Sequence, residues 1–243
     1  MKVLLIICVL LIFAPSMASG QPRRASLSRQ QIKEAESRLA EMGYWTGVID
    51  GVIDTGSQSA LIAFQKWEGR AITGKLTADE LEAIRTSAGP KARDGEYSHV
   101  EVDIDRQVLL IVDDAGKVKV LPVATGTGKE FFYDGQMSVA YTPRGRFVVY
   151  EKGIGWENNV PGSMHYPNYI SGGIAIHGSY SVPTKPASHG CIRIPMFASR
   201  EVSKLLKLGT IVLVYDKVSF VSAKSWIENP KLKEAALANS GQH

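Results

Sequence analysis

Apolar residues recur at helical spacing between residues 28 and 86. Ser28 and Gln31 have the spacing of a capping box at the start of the first helical stretch, and Gly43 can end it. Further stretches begin at Ser57 and at Thr77. The apolar positions of the three stretches are Ile32, Ala35, Leu39, Leu61, Phe64, Leu81 and Ile84. The pattern therefore predicts a small module of three short helices over residues 28–86.

From His99 onward the apolar positions have the patterns of β-strands: Val100, Val102 and Ile104 alternate, and residues 108–112 form a continuous apolar run that predicts a buried strand. Strands are predicted at 100–104, 108–112, 118–123, 145–150, 173–177 and 210–215. Only residues 198–208, ending before Gly209, have the pattern of a helix. Many strands with one helix are typical of a mainly β, sandwich-like domain, which we place at residues 97–216. The fold class is therefore predicted to be α+β, with the helical module preceding the sandwich.

Two polar or weakly patterned segments flank this domain. Residues 87–96 lack periodicity and contain Gly89-Pro90-Lys91, which indicates an interdomain linker. A flexible linker would raise the effective concentration of a ligand held by the module near the second domain. Residues 217–243 contain Trp226 and a Lys- and Ala-rich end, and we interpret them as a tail with a short appended helix.

The N-terminus has the pattern of a signal peptide. Lys2 precedes an aliphatic run over residues 3–13, and small residues follow up to Gly20. The run is too short to span a bilayer comfortably, so residues 1–20 are predicted to be removed, after Ala18 or Gly20, without leaving a stable membrane anchor. A retained anchor is the alternative. We therefore expect an exported protein.

The charge distribution argues against one class of partner. The formal net charge is +4 and is spread along the chain, without blocks of Lys and Arg interleaved with aromatic residues. Nucleic-acid binding is therefore not expected. A mildly basic exported protein suits an anionic cell envelope.

Removal of the N-terminal segment takes Cys8 with it and leaves Cys191 as the one cysteine. Such a thiol is inert and buried, forms an intermolecular disulfide, or is reactive. No Asp or Glu occurs between Asn158 and Arg200, whereas basic residues do, and a cationic field lowers a thiol pKa. If the chain is extended after residue 190, Cys191 and Arg193 share one face. Cys191 is therefore the candidate nucleophile.

Residues around the cysteine supply the other candidate groups. His177 follows an apolar strand and is the candidate base, with His189 as the alternative histidine. A backbone carbonyl or the Ser188 hydroxyl would have to orient His177, because no carboxylate is adjacent. The N–H groups of Gly190 and Cys191 are candidates for an oxyanion hole. The sequence lacks His-Glu-x-x-His and a second nearby cysteine, so no metal or cofactor is expected.

These residues resemble a known enzyme signature. The matching segments are Gln107-Val108-Leu109, Thr142-Pro143-Arg144-Gly145, Gly172 to Gly178, and Ser188-His189-Gly190-Cys191-Ile192-Arg193. The pattern is similar to that of the YkuD-type L,D-transpeptidases, bacterial cysteine enzymes that cross-link peptidoglycan. The resemblance implies a Cys191 thioester formed with a stem peptide, and a preference for acylation by carbapenems. Arg193 would either bind a substrate carboxylate or hold loop carbonyls.

The helical module resembles the peptidoglycan-binding-type-1 repeat. The matching residues are Met42-Gly43-Tyr44, Asp50-Gly51 and Ala63-Phe64-Gln65. This resemblance implies contact with the glycan or stem peptides of the wall, for which Tyr44 and Trp45 are the candidate aromatic residues. Alternatively, the two aromatic residues complete a small core and the module is structural.

The residues leave open what the acyl-enzyme does. A transpeptidase passes the acyl group to an amine of a stem peptide or of an envelope protein, whereas a thiol hydrolase that trims stem peptides uses the same side chains. A non-catalytic wall-binding protein is a third alternative. The interpretation favoured by the resemblance is an L,D-transpeptidase of cell-wall biogenesis that maintains cell shape.

Overall fold

The computed structural model describes residues 26–95, 97–133, 135–159 and 162–240. The predicted signal peptide, residues 1–20, lies outside the described residues. Within residues 26–95 the structure has three helices, as predicted: α1 (Arg29–Glu41), α2 (Thr55–Trp67) and α3 (Ala78–Thr86). Each begins at a side-chain cap, and Ser28 with Gln31 forms the predicted capping box. The second helix begins earlier than predicted, because the Asp54 carboxylate accepts the Ser57 N–H.

Strands and further helices follow in the described part of the chain. The strands are β1 (His99–Asp103), β2 (Val108–Val112), β3 (Val118–Pro122), β4 (Glu130–Tyr133), β5 (Gln136–Val139), β6 (Gly145–Val148), β7 (Glu151–Lys152), β8 (Trp156–Asn159), β9 (Gly162–Ser171), β10 (Ile174–Ser179), β11 (Ile192–Pro195) and β12 (Ile211–Tyr215). The helices are α4 (Ser199–Leu205), α5 (Lys224–Glu228) and α6 (Pro230–Asn239). Among the described helices, none has the length and apolar character that a membrane span requires.

The strands form two layers. One sheet has the order β3-β2-β1-β12-β6, in which β1 and β12 run parallel. The facing sheet has the order β11-β10-β9-β7, with β8 paired to β9 and with β10 parallel to β11. The hairpin β4–β5 pairs only with itself among the described strands. The α+β class and the sandwich-like architecture are thereby confirmed.

The two sheets and α4 enclose an aliphatic core. Its buried members are Val100, Val102, Leu109, Leu121, Val123, Val149, Ile170, Ile176, Ile192, Ile194, Ala198, Val202, Leu206, Val212 and Val214. Leu109 of β2 points into this core, whereas its neighbours on that strand, Val108 and Leu110, point to the opposite face. Successive side chains of a strand alternate between faces, so an apolar strand such as β2 needs a cover on both sides.

The helical module provides that cover. A second core joins the module residues Ala35, Leu39, Met42, Tyr44, Ala60, Leu61, Ala63, Phe64, Leu81 and Ile84 to the sheet residues Val108, Leu110, Val112 and Val120. Gly43 and Trp45 also extend the sheet, because the Val120 N–H donates to the Gly43 carbonyl and the Trp45 N–H donates to the Val120 carbonyl. The module is thus part of one packed body with the sandwich. The flexible tether expected from the sequence is not what the structure shows.

The segment between the module and the first strand is held at both ends. Arg38 donates to the Ser87 carbonyl at 3.0 Å. The N–H groups of Arg93 and Asp94 donate to the fully buried Glu101 carboxylate, at distances between 2.7 and 3.0 Å. The Arg93 guanidinium lies over the Tyr215 ring, 4.6 Å from its centroid. The polar groups of residues 87–96 therefore bond to fixed partners. They do not give this segment the flexibility that we predicted for it.

The C-terminal tail packs against the edge of the first sheet. Trp226 of α5 joins a third cluster of buried residues, which are Val148, Ile211, Leu213, Tyr215 and Ala223. The Asp94 carboxylate accepts the Ser222 hydroxyl and the Ala223 N–H at 2.7 and 2.8 Å. The predicted appended helix is thus a pair of short helices, and the residues before them are bonded to the segment that precedes β1.

The shared core generates a prediction about stability. Phe64 is fully buried and its ring lies edge-on to Tyr44, 5.8 Å between centroids. We expect Phe64→Ala to lower the free energy of unfolding by about 3–5 kcal/mol, because a large cavity opens in the core. Urea unfolding followed by circular dichroism should show one transition at a lower midpoint, since the module and the sheet unfold together.

Phe132, which is 71% exposed on β4, is a matched control. Phe132→Ala should change the free energy of unfolding by no more than about 0.5 kcal/mol. A separate early transition in Phe64→Ala, with the main midpoint unchanged, would show that the module unfolds independently.

Candidate active site

The predicted reactive residues meet at one cavity. It has a volume of about 800 Å³ and lies beside the ends of β10 and β11. Its walls include Phe131, Tyr133, Met164, Tyr169, Ile174, His177, Ser188, His189, Cys191 and Arg193. Cys191, His177, Ser188, His189 and Arg193 are therefore brought together by the fold, whereas Tyr44 and Trp45 lie elsewhere.

Cys191 immediately precedes β11. Ile192 and Ile194 point into the sandwich core, and Cys191 and Arg193 line the cavity on the opposite face, as the alternation predicted. The side chain is partly exposed at the cavity wall and packs beside Met164, Tyr169 and Ala175. The thiol lies 3.6 Å from the Gly173 carbonyl, and the Ala175 N–H donates to the sulfur. A substrate in the cavity can therefore reach the thiol.

His177 lies on the adjacent strand β10, in register with Arg193. The side chain is 4% exposed, and its Nδ1 lies 3.0 Å from the Gly178 carbonyl oxygen. A carbonyl only accepts, so we assign the hydrogen to Nδ1 and the free lone pair to Nε2. Of the two orienting groups considered from the sequence, the backbone carbonyl is the one that contacts the ring. The imidazole is thus held in the form that can accept a proton.

Gly178 has no room for a side chain. A Cβ atom there would lie 2.4 Å from Ser199 Cβ, at the start of α4. Because Gly178 has no side chain, α4 packs directly against β10 at this point. The Gly178 carbonyl that orients His177 belongs to this tightly packed segment. Packing at the strand end therefore helps to fix the base.

The Ser188 hydroxyl has a structural role in the loop. It donates to the Cys191 carbonyl at 2.6 Å and accepts the Gly190 N–H at 3.0 Å. Gly190 in turn accepts the Thr142 hydroxyl at 2.6 Å through its carbonyl. The Gly190 N–H is thus already bonded, so of the two oxyanion donors considered from the sequence the Cys191 N–H is the candidate that remains. We had not assigned a role to Thr142 from the sequence, because its partner is 48 residues away.

Gly190 itself requires glycine. Its φ angle is 150°, and a Cβ atom would lie 2.6 Å from Ile174 Cδ1 and 2.9 Å from the Tyr141 carbonyl oxygen. A side chain at this position would push the loop away from β10. The glycine thereby places the next residue, Cys191, at the cavity wall.

Burial dominates the electrostatics of the site. It raises the pKa of the Cys191 thiol, and the smaller contributions of the Ala175 N–H and the Arg193 guanidinium do not reverse this. It also lowers the pKa of His177 to about 4, and Arg193 acts in the same direction. Near neutral pH both groups are therefore uncharged. The lowered thiol pKa that we expected from the lack of acidic residues is not found, because desolvation of the thiolate outweighs the nearby positive charge.

A hairpin covers part of the cavity. Phe131 and Tyr133 of β4 line the cavity, and the Phe131 ring lies 4.5 Å from the exposed ring of His189. His189 thus contacts the hairpin. We did not predict β4 or β5, although Asp134-Gly135 between them is a common turn pair in hairpins. The aromatic run before this pair was the available signal.

The two aromatic residues of the module differ in exposure. Tyr44 is 2% exposed and packs on Phe64, so its ring cannot contact a ligand, and the prediction of a binding role for it is corrected. It completes a core, as in the alternative interpretation. Trp45 is partly exposed, and the Lys119 ammonium lies 5.4 Å from its ring centroid. Among the described side chains, no group of three His, Cys, Asp or Glu is arranged to hold a metal ion.

The two parts of the chain match two known protein families. Residues 97–214 match the YkuD family, described as the L,D-transpeptidase catalytic domain. Residues 28–84 match the PG_binding_1 family of peptidoglycan binding domains. No match was found among curated protein sequences.

One solved structure shows the same family over most of the chain. A crystal structure of the L,D-transpeptidase from Xylanimonas cellulosilytica is 35% identical to this chain, with a TM-score of 0.73. The match covers 80% of this chain and 97% of that chain. The L,D-transpeptidase from Stackebrandtia nassauensis is 22% identical, covering 76% of this chain and 91% of that chain, with a TM-score of 0.45. The chain therefore belongs to the YkuD family of L,D-transpeptidases, and a peptidoglycan-binding-type module precedes its catalytic domain.

Proposed function

We propose that this protein forms cross-links between peptidoglycan stem peptides through a thioester on Cys191. The observation that carries the proposal is the cavity wall shared by Cys191 and His177, with the imidazole held by the Gly178 carbonyl. A thiol paired with an oriented base is the arrangement that nucleophilic acyl transfer requires. The proposed site of action is the periplasm or cell wall, after export directed by residues 1–20.

The first half-reaction forms the acyl-enzyme. His177 Nε2 takes the thiol proton while the sulfur attacks the carbonyl that precedes a terminal D-amino acid. The Cys191 N–H donates to the oxygen that becomes negative. When the tetrahedral intermediate collapses, the C–N bond breaks and His177 returns the proton to the departing amine. A thioester and a free D-amino acid result.

The second half-reaction transfers the acyl group. An amine of a second stem peptide attacks the thioester carbonyl, and His177 takes the amine proton. The C–S bond breaks, the thiol is reprotonated by His177, and an amide joins the two stems. An amine on an envelope protein would follow the same course and attach that protein to the wall. The enzyme returns to its starting state without a cofactor.

Arg193 is the proposed anchor for the substrate carboxylate. It lies on the same cavity wall as Cys191, and its guanidinium offers paired donors that match a carboxylate. The terminal D-amino acid carries such a carboxylate next to the bond that breaks. Binding it would place the scissile carbonyl near the thiol.

Water competes with the acceptor amine. Cys191 is partly exposed at the wall of an open cavity, so a water molecule has access to the thioester. Hydrolysis would shorten the stem peptide without forming a cross-link, which is the activity of a trimming carboxypeptidase. The hairpin that carries Phe131 is the described element placed to limit this access, and the two activities differ only in their products.

The first prediction from this mechanism concerns the nucleophile. The parent protein incubated with a disaccharide-tetrapeptide should give a cross-linked dimer and a free D-amino acid, identified by mass. Cys191→Ala should give neither product, because no other described side chain on the cavity wall is a thiol. Its midpoint of thermal unfolding should stay close to that of the parent, since the residue is only partly buried.

The products separate the alternatives. A shortened stem without dimer would assign hydrolysis to this site. Equal product formation by the parent and by folded Cys191→Ala would rule out the cysteine mechanism. Loss of both products in the parent, with retention on sacculi, would indicate a wall-binding protein.

A second prediction follows from the uncharged thiol and imidazole. Because burial raises the thiol pKa above its usual value of 9.0, the rate of Cys191 alkylation by iodoacetamide should still be rising at pH 9. Because the pKa of His177 is about 4, the neutral base persists as the pH falls through 6.5, and kcat/KM should decline only near pH 4. Alkylation that reached its plateau below pH 7 would instead indicate a thiolate paired with a protonated imidazole.

A third prediction concerns covalent inhibition. A β-lactam is a strained amide, and we expect a carbapenem to acylate Cys191 and to add its whole mass to the peptide containing residue 191. A compact carbapenem should react faster than a bulky penicillin, because the family resemblance implies a site for a small D-amino-acid leaving group. Peptide mass mapping measures the adduct, and Cys191→Ala is the control. An unmodified thiol in folded, reduced protein would count against the transpeptidase mechanism.

A further inference from the structure

A buried lysine joins the helical module to the catalytic domain. Lys66, in the last turn of α2, is 4% exposed. Its ammonium donates to the Val123 carbonyl at 2.9 Å and to the Gln107 carbonyl at 3.2 Å. Burial lowers its pKa to about 8. An amine removed from water costs stability unless its hydrogens are bonded, so these two contacts are what makes its position tolerable.

Gln107 contacts both the Lys66 ammonium and Thr125, which follows β3. It occupies the turn between β1 and β2 with a φ angle of 56°, a conformation that non-glycine residues adopt only when their surroundings require it. Its side-chain oxygen accepts the Thr125 N–H at 2.9 Å, and its amide nitrogen donates to the Thr125 hydroxyl at 2.7 Å. The Val123 N–H also donates to its carbonyl at 2.9 Å.

Residues 123–127, which follow β3, are hydrogen-bonded to the loop that carries Cys191. Ala124 and Arg193 exchange two backbone hydrogen bonds, of 3.0 and 3.1 Å. The Thr125 carbonyl accepts the N–H groups of Ala187 and Ser188, both at 2.9 Å. The loop that carries Cys191 is therefore bonded to this segment on both sides of the thiol.

We propose that Lys66 is a positioning residue for the reaction at Cys191. Its ammonium fixes the Val123 carbonyl, and the residues that follow Val123 hold Ser188 and Arg193 on either side of the nucleophile. The helical module, residues 28–86, thereby helps to hold the loop of Cys191 in position. This role is separate from any contact of the module with the wall. This role goes beyond the proposed reaction, and only the turnover assay below depends on that reaction.

The test compares full-length parent protein with Lys66→Met, which keeps the length of the side chain and removes the donors. We expect kcat on the disaccharide-tetrapeptide to fall about tenfold with KM within about twofold, because small displacements of a nucleophile reduce rates steeply. We also expect the pH profile of iodoacetamide alkylation at Cys191 to move to lower pH, because a loosened loop admits water to the thiol. Alkylation does not require the proposed reaction, so this result stands even if that reaction is wrong.

Lys152→Met is the matched control. Lys152 is a half-buried lysine of β7 whose ammonium donates to the carbonyls of Ser203 and Leu206, away from residues 123–127. Lys152→Met should lower the midpoint of thermal unfolding as Lys66→Met does, while its kcat stays within about twofold of the parent value and its alkylation profile is unchanged. An equal loss of kcat in both variants would assign the effect to general destabilisation and overturn the proposal.

A second variant decides the case in which Lys66→Met does not fold. Thr125→Val keeps the side-chain shape and removes the hydroxyl that accepts from Gln107. We expect a fall in kcat of about threefold or more and the same direction of change in the alkylation profile. Parental kcat and parental alkylation in either folded variant, Lys66→Met or Thr125→Val, would overturn the proposed link.

Discussion

The first sheet is apolar on both faces, and the rest of the architecture follows from covering it. Leu109 belongs to the sandwich core, whereas Val108 and Leu110 on the same strand lie beneath the helices. Each face would be exposed to water if its cover were absent, and apolar burial is the dominant favourable term in folding. The facing sheet covers one side and places β10 and β11 beside the cavity. On the other side, the module covers β2 and β3 and the C-terminal tail covers β6 and β12. Both therefore pack into one body with the first sheet.

Local signals were sufficient for the elements whose pattern is regular. The caps at Ser28 and Thr77 predicted helices, and the alternation over residues 191–194 correctly placed Cys191 and Arg193 on one face. The hairpin β4–β5 and the pair β8–β9 were missed because their exposed or mixed faces carry no clear alternation. The apolar run of β2 was recognised as buried, but the sequence alone did not show that the module covers it. Tyr44 was misinterpreted for the same reason.

For the site, the sequence predicted which residues are present but not their protonation states. Residue types and spacing identified the thiol and the imidazole, and they narrowed the orienting group to a carbonyl or Ser188. The protonation states depend on desolvation, which a count of nearby charges does not measure. Met164, Tyr169 and Ala175 from other strands pack against Cys191, and the effect of burial on its pKa exceeds that of Arg193. Contacts across tens of residues, such as Thr142 with Gly190, are equally invisible to local pattern.

A fixed junction changes what the module can contribute. A flexible tether raises the concentration of substrate near a site but imposes no orientation, whereas a packed module holds its ligand surface at a constant distance and angle from the cavity. Trp45 is partly exposed on the module, and its backbone N–H donates to the Val120 carbonyl of β3. A ligand that contacts the Trp45 ring would therefore lie at a fixed position relative to the first sheet. The conformational entropy of a linker has already been lost on folding in such a molecule. The packing that fixes the module also reaches residues 123–127 through Lys66, and these residues are bonded to the loop of Cys191 on both sides of the thiol.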